Sequence, residues 1–325
     1  MRVAWSVQSM RPARVCRAAK VSRLFSSVPN AVNLNEFIRS IQHTLKPPVA
    51  NKLLHDGFIK TMIVGGPNQR KDYHIEMGEE LFYQVKGAMD LDLVLDGTQQ
   101  RIHIKEGDMF LLPRGVPHSP QRYADSVGIV LERERSSGEL DCMRWYTEEE
   151  ASTSVLYEEF FHCIDLGSQI KQAIERYNKF LSDGVMDQSG SRYPAQSLEA
   201  LLSCGAGATF RPPTNLKTLM AGASKGHGVK RLFDSEFRVD CIQHVQAGSP
   251  HTHNWFSRVS VELRQSETEV LLWQQHGDSE VELTHKESKR FTIRAGEVVV
   301  VPAKALQGMV VEQHHVGDCL LCIFV

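Results

Sequence analysis

The sequence predicts an all-β protein made of two copies of one antiparallel unit joined by a helical segment, and three observations predict it. Short apolar stretches of period two, separated by turn residues, recur between Ile59 and Leu131. A helical period takes over after Trp145, and strands return after about Phe233 with patterns already seen in the first half.

Taken in order, residues 1 to 35 hold Arg2, Arg11, Arg14, Arg17, Lys20 and Arg23 but no acidic side chain, ahead of "LFSSVPN". That composition reads as a mitochondrial presequence within residues 1 to 26, or as a disordered tail or an upstream start wrongly included, so residues 1–30 are set apart from the fold. Met89, Leu91 and Leu93 alternate with Asp90 and Asp92, Asp96-Gly97 turns the chain, and Ile102 and Ile104 resume the alternation. This is a hairpin. Gly107-Asp108 leads into the apolar run "MFLLP", and Val127 to Leu131 gives another buried strand. From Ser168 to Leu181, Ile170, Ala173, Ile174, Tyr177, Phe180 and Leu181 form one helical face, with Ser168 placed to cap it and Gly184 to end it. The Gly-, Ser- and Pro-rich stretch 183–213 contains one more helical segment, "SLEALL".

The repeat is explicit in two places. "GEVVVVPAKALQ" (Gly296 to Gln307) matches "GDMFLLPRGVPH" (Gly107 to His118), and "EVLLWQQHG" (Glu269 to Gly277) matches "EELFYQVKG" (Glu79 to Gly87). The organisation is therefore a first β unit over 31–160, a helical and loop linker over 161–214, and a second β unit over 215–325.

Bulk properties remove several function classes. A chain of 325 residues, 42% hydrophobic and with a formal net charge of −2, buries one large core or two ordinary ones. No apolar run has the length of a membrane span, and no basic tract interleaved with aromatics tracks nucleic acid. Seven scattered cysteines, an odd number, argue for a reducing compartment rather than a disulfide framework. Only Cys319 and Cys322 form a CxxC, within the apolar "CLLCIFV", and read as buried structural thiols.

The chemistry lies in two stretches of the first unit. His74 and Glu80 come from "RKDYHIEMGEELFYQVKG", and His118 from "GDMFLLPRGVPHSPQR". Two histidines and one carboxylate make the facial triad that holds ferrous iron and leaves positions open for substrate and O2, which points to an oxygen-using enzyme. By the repeat register, Arg264, Val270 and Gln307 stand where His74, Glu80 and His118 do, so the second unit is expected to be metal-free and structural. His251 and His253 in "PHTHNW" have ligand-like spacing but lie upstream of those positions and read as a polar loop.

These residues resemble the cupin motifs. His74, five residues, Glu80, six residues and Gly87 match most of the first; Gly107, five residues, Pro113-Arg114-Gly115, two residues and His118 match the second. Glu76 stands where the first motif usually has another histidine, leaving three ligands rather than four. The wider strings "GGPNQRKDYHIEMGEELFYQVKG", "LLPRGVPHSPQRYADSVGIVLERER" and "ELDCMRWY" closely resemble the 3-hydroxyanthranilate 3,4-dioxygenase family in its two-cupin animal form. The resemblance is dense from residue 45 to about 170 and weaker beyond.

It implies a bicupin, two double-stranded β-helix (jelly-roll) barrels, with Fe(2+) on His74, Glu80 and His118. It also implies catalytic roles for Arg70 and Glu132, substrate binding by Glu80, Arg122 and Glu132, and dioxygen binding by Arg70. A guanidinium fork suits a carboxylate, and a carboxylate at the end of an apolar strand, as at Glu132, is costly unless paired. Gln121 is expected to orient a ligand, and Glu79, on the opposite strand face from Glu80, to be solvent-facing or structural.

The small-molecule partners implied are 3-hydroxyanthranilate and O2. The product would be 2-amino-3-carboxymuconate semialdehyde, which closes to quinolinate on the route from tryptophan through kynurenine to NAD. No second iron is expected, because the paired CxxC motifs of single-cupin bacterial members are missing. A monomer with intramolecular cupin pairing is expected, cytoplasmic by family or in the mitochondrial matrix if residues 1–26 direct import. The competing readings are another metal cupin, such as a sugar isomerase or thiol dioxygenase, and a non-enzymatic bicupin storage or sensor protein.

Overall fold

The computed structural model describes residues 30–46, 50–147, 153–184, 193–221, 228–244, 257–261, 269–285, 287–302, 309–315 and 317–325. The possible presequence, His251, His253, Arg264 and Gln307 lie outside the described residues. Among those described, no helix is long and apolar enough to cross a membrane.

Period-two patterning produces the expected strands. Met89–Leu95 and Thr98–Ile104 form the hairpin, with Met89 opposite Ile104 and Leu91 opposite Ile102. Both central residues of its turn have positive φ, Asp96 at 47° and Gly97 at 72°, matching the right-handed strand twist.

The first unit consists of two facing sheets. One orders the strands Asp108–Leu112, Glu80–Lys86, Val127–Arg133 and Ile59–Gly65; the other orders Tyr73–Ile75, His118–Arg122, Met89–Leu95 and Thr98–Ile104. The second unit repeats this with Glu297–Pro302, Glu269–His276, Cys319–Phe324 and Arg238–Gln243 facing Ser257–Val261, Met309–Gln313, Asp278–His285 and Glu287–Arg294. Both orders are the eight-stranded jelly roll. The expected all-β bicupin is what is found, although each unit is an open two-sheet sandwich rather than a closed barrel.

The structural register agrees with the sequence repeat. Glu80 pairs with Leu112 and Val270 with Val301, their counterparts. Gly87 and Gly277 turn at φ 66° and 63°, Gly107 and Gly296 at 81° and 80°. The repeat also extends further than the sequence reading took it. Val32–Asn33 pairs with Glu297–Val298, while Thr214–Asn215 pairs with Asp108–Met109, so the short arm opening each unit docks on the edge of the other. Each arm runs into a helix whose first turn is capped by an Asn, with Asn33 accepting from the Glu36 amide and Asn215 from the Lys217 amide.

The largest core lies between the units, where outward-facing Ile63, Leu81, Ile129 and Leu131 meet Leu271, Trp273, Leu321 and Ile323. Repeat mates Tyr83 and Trp273 meet edge to face there, 4.9 Å apart at 85°. Glu79 proves structural: it accepts from the Phe237 amide and Ser235 hydroxyl, and its own amide donates to Glu236. Cys319 and Cys322, both buried, face different layers, the inter-unit core and the second unit's interior, so the CxxC cannot grip one ion.

The stretch after Trp145 differs from the sequence reading in two places. Val155–Phe161 is a strand that the sequence reading did not foresee, pairing with Asp141–Tyr146. The helix runs Leu166–Asp183 and is capped by Asp165, whose side chain accepts from the Gly167 amide, rather than by Ser168, whose hydroxyl donates back to the Asp165 carbonyl. Gly184 ends it at φ 68°, as expected. Its apolar face packs on Met143, Trp145, Tyr157 and Phe161, with Tyr177 stacked on Trp145 at 4.3 Å.

Candidate metal centre

The two sheets of the first unit enclose an apolar end, filled by Phe82, Leu91, Leu93, Phe110 and Leu112, and a polar end. The polar end opens into a cavity of about 340 Å3, within the roughly 300–1,000 Å3 typical of small-ligand pockets. His74 and His118 come from neighbouring strands and are direct pairing partners, so one sheet presents both rings. Glu80 opens the strand that faces them. All three are nearly inaccessible, at 3%, 2% and 4% exposure.

Ring orientation is set from behind. His74 Nε2 donates to Asp141 at 2.8 Å and His118 Nδ1 to the Val116 carbonyl at 3.0 Å. Each ring then turns its other nitrogen toward Glu80 Oε1, 3.9 Å from His74 Nδ1 and 2.8 Å from His118 Nε2. Two imidazole nitrogens and a carboxylate oxygen converging on one point suit a cation. Burial pulls His74 down against the opposing pull of Asp141, and Glu80, which burial alone would raise, is held below the usual carboxylate range by attraction to His118 and His74, an attraction that a cation in place of their protons would supply.

The surrounding charge makes the same point. Glu76, Glu80, Glu132 and Asp141 are buried, and the guanidiniums of Arg122 and Arg135 face them. Four ionised carboxylates against two guanidiniums leave two negative charges, which a divalent ion would neutralise. Without that ion the cluster adjusts by protonation, and Glu132 rises well above its ordinary value through burial and the charges of Glu80 and Asp141.

The structure brings Arg70, Arg122 and Glu132 to the same cavity as the triad. Arg122 is 3% exposed, its Nη1 has no hydrogen-bond partner, and burial with Arg70 alongside pushes it down to about 10. An anion in the cavity would satisfy it. Arg70 is held by Asp72, its Nε donating at 2.8 Å. Gln121 orients no ligand: it accepts from the Arg70 amide and donates to the Arg70 carbonyl, at 3.0 and 2.9 Å. Strand alternation explains the correction, since His118, Pro120 and Arg122 face the cavity and Gln121 points away.

Sequence reasoning missed Asp141 and Arg135, which lie behind the centre, and Asp72, Ile174, Tyr177 and Asn178, which wall the cavity. An Asp between Leu140 and Cys142 in "ELDCMRWY" was the available signal for the first.

The 3-hydroxyanthranilic acid dioxygenase family model matches residues 26–178, a span containing every residue of this centre. The 3-hydroxyanthranilate 3,4-dioxygenase of Xenopus laevis is 38% identical over 278 residues, 85% of this chain and 92% of that one. The enzyme of the same name from Pyricularia oryzae is 50% identical over 148 residues, 45% of this chain and 80% of that one. Among solved structures, the cupin 2 conserved barrel domain protein from Leptotrichia buccalis aligns with 93% of this chain and 99% of its own at 11% identity and a TM-score of 0.47.

Proposed function

The chain belongs to the 3-hydroxyanthranilate 3,4-dioxygenase family, and from that premise we propose how its first unit carries out the reaction. It is a dioxygenase whose substrate is 3-hydroxyanthranilate. His74 Nδ1, His118 Nε2 and Glu80 would hold Fe(II). When bound, the ion supplies a Lewis-acidic centre with open positions for the substrate's hydroxyl and amino groups, and an electron source for O2. The observation that carries this is the convergence of two imidazole nitrogens and a carboxylate oxygen on one point, in a cavity that also holds an unpaired Arg122 N–H.

The chain's own residues do the rest. Arg122 takes the substrate carboxylate on its free Nη1, fixing the ring's orientation. Glu132, a buried carboxylate lining the cavity, would take up the proton that the substrate hydroxyl gives up. Arg70, locked by Asp72 and Gln121, presents positive charge on the O2 side. Met62, Phe82, Val130, Trp145 and Ile174 exclude water. Ring opening between the hydroxyl-bearing and carboxylate-bearing carbons, with both oxygen atoms retained, yields 2-amino-3-carboxymuconate semialdehyde. That product closes to quinolinate with loss of water, toward NAD. The inter-unit core already covers the back of the catalytic sheet, which supports a monomer.

The test is anaerobic loading with Fe(II), then 3-hydroxyanthranilate and air, following O2 uptake and the near-ultraviolet absorbance of the semialdehyde beside His118→Ala. Both signals in wild type and neither in the variant are expected. Iron binding without turnover would remove the substrate assignment.

A further inference from the structure

Glu76 is a buried carboxylate that the reaction above does not use. It is 3% exposed, two residues beyond His74, and its Oε1 has no hydrogen-bond partner. Carboxylate oxygens of Glu76, Glu80 and Glu132 lie within 4.8 Å of one another, so Glu76 is a near neighbour of the metal position. Its other oxygen, Oε2, is held by Arg135 Nη2. The same guanidinium, only 5% exposed, also binds Glu132 through Nη1 at 2.5 Å and Asp141 through Nη2 at 2.9 Å and Nε at 3.2 Å. Asp141 in turn fixes the His74 ring.

We propose that Arg135 is a positioning residue that holds Glu76 away from the metal, keeping open a coordination position that Glu76 would otherwise close. The proposal rests on the Fe(II) reading above. Its physical basis is competition for one carboxylate. A fixed guanidinium satisfies one oxygen of Glu76 and its charge, while the second oxygen stays unpaired in a cluster that includes the ligand Glu80. Loss of Arg135 leaves a buried, unpaired anion with a divalent cation as the nearest partner. A fourth protein ligand then replaces an exchangeable position, and a structural metal site closes in just this way. Specificity for a chelating substrate thus depends on a residue that touches neither substrate nor metal.

Metal binding without substrate separates this proposal from the function reading, with Co(II) and Fe(II) as probes in competition with a chromophoric chelator. Glu76→His removes a negative charge, so charge alone weakens metal binding; a fourth ligand instead tightens it about tenfold and abolishes turnover. Arg135→Gln is expected to tighten binding about tenfold and to weaken the visible Co(II) bands as coordination number rises, and Glu76→Gln added to it restores the wild-type spectrum. In the wild-type background, Glu76→Gln changes affinity less than about threefold and leaves the spectrum alone. An unchanged Co(II) spectrum in folded Arg135→Gln overturns the proposal. Should that variant not fold, Glu76→His decides: no gain in affinity shows that position 76 does not reach the metal. Wild type that binds neither ion removes the function reading and this proposal together, whereas wild type that binds and turns over with no change across these variants removes this one alone.

Discussion

The two units share one strand order and one set of turns, yet the matched positions of their interiors differ. Where the first holds His74, Glu80, His118, Glu132 and Asp141 between its sheets, the second holds Val270, Leu272, Val281, Phe291, Val301 and Phe324. At the matched position, Glu80 beside Leu112 becomes Val270 beside Val301. The jelly roll therefore does not need the polar centre, and the centre is a burden on the unit that carries it. Four buried carboxylates are tolerated because Arg135 and Arg122 face them and because the opposite face of the same sheet contributes to the largest apolar core. Among the described residues, the second unit supplies an apolar interior and one half of the core between the units.

Exchanging the matched residues breaks the comparison most severely. Glu80→Val should reduce O2 uptake to background and remove bound iron, and it should raise the stability of the metal-free protein by about 1–3 kcal/mol, since one member of an acidic cluster is gone. Chelator should lower the melting temperature of wild type but not of this variant. The reverse change, Val270→Glu, places a carboxylate among apolar side chains opposite Phe324, where the Arg238 guanidinium is already held by Asp240 at 3.0 Å and stacked on the Phe324 ring, and should cost about 3–5 kcal/mol in urea unfolding without creating a metal site. A well-folded Val270→Glu protein that binds a second equivalent of metal would sink the contrast.

The joint between the units comes next. Tyr83 and Trp273 occupy the same repeat position and meet each other across the interface. Trp273→Ala should cost about 3–5 kcal/mol, and, if the units fold together, as the shared core implies, urea unfolding followed by far-ultraviolet circular dichroism should remain one transition with a lower midpoint. Two separated transitions would mean that the units are thermodynamically independent.

The same contrast governs what the sequence discloses. Strands buried on both faces, such as Val127–Arg133, and turns that demand positive φ, such as Asp96-Gly97, are written locally in apolar runs and turn residues. The triad was legible because motif spacing along neighbouring strands translates directly into His74 lying opposite His118. Asp141 and Arg135 were not, because their contacts depend on a strand brought in from sixty-seven residues away and on a guanidinium that meets three carboxylates only after both sheets close. Gln121 misled for a simpler reason: nearness in sequence to His118 says nothing about which strand face a side chain takes. The exchanged arms escaped notice because two-residue strands carry no period to read.

The smallest expected effect concerns acid stability at the joint. Arg133, at the end of a first-unit strand, binds Glu139 through Nη1 and Nη2, both at 2.6 Å, and Glu236 of the second unit through Nε at 2.5 Å. Burial alone would raise Glu139, but the Arg133 fork and the Ser136 amide outweigh it and hold its carboxyl below the ordinary 4.5. A folded-state value below the unfolded one means that this link stabilises fully above the unfolded value and is lost as pH falls through the folded one. Glu139→Gln should therefore cost about 1 kcal/mol at neutral pH and progressively less as pH falls through the folded-state value, narrowing the gap to wild type as acid is added. The metal centre confounds that comparison unless it is removed, so unfolding free energies should be measured against pH in the Glu80→Val background. An acid-insensitive difference between the paired variants would show that Glu139 acts through packing, and that the charged rim contributes nothing to holding the polar unit on its apolar twin.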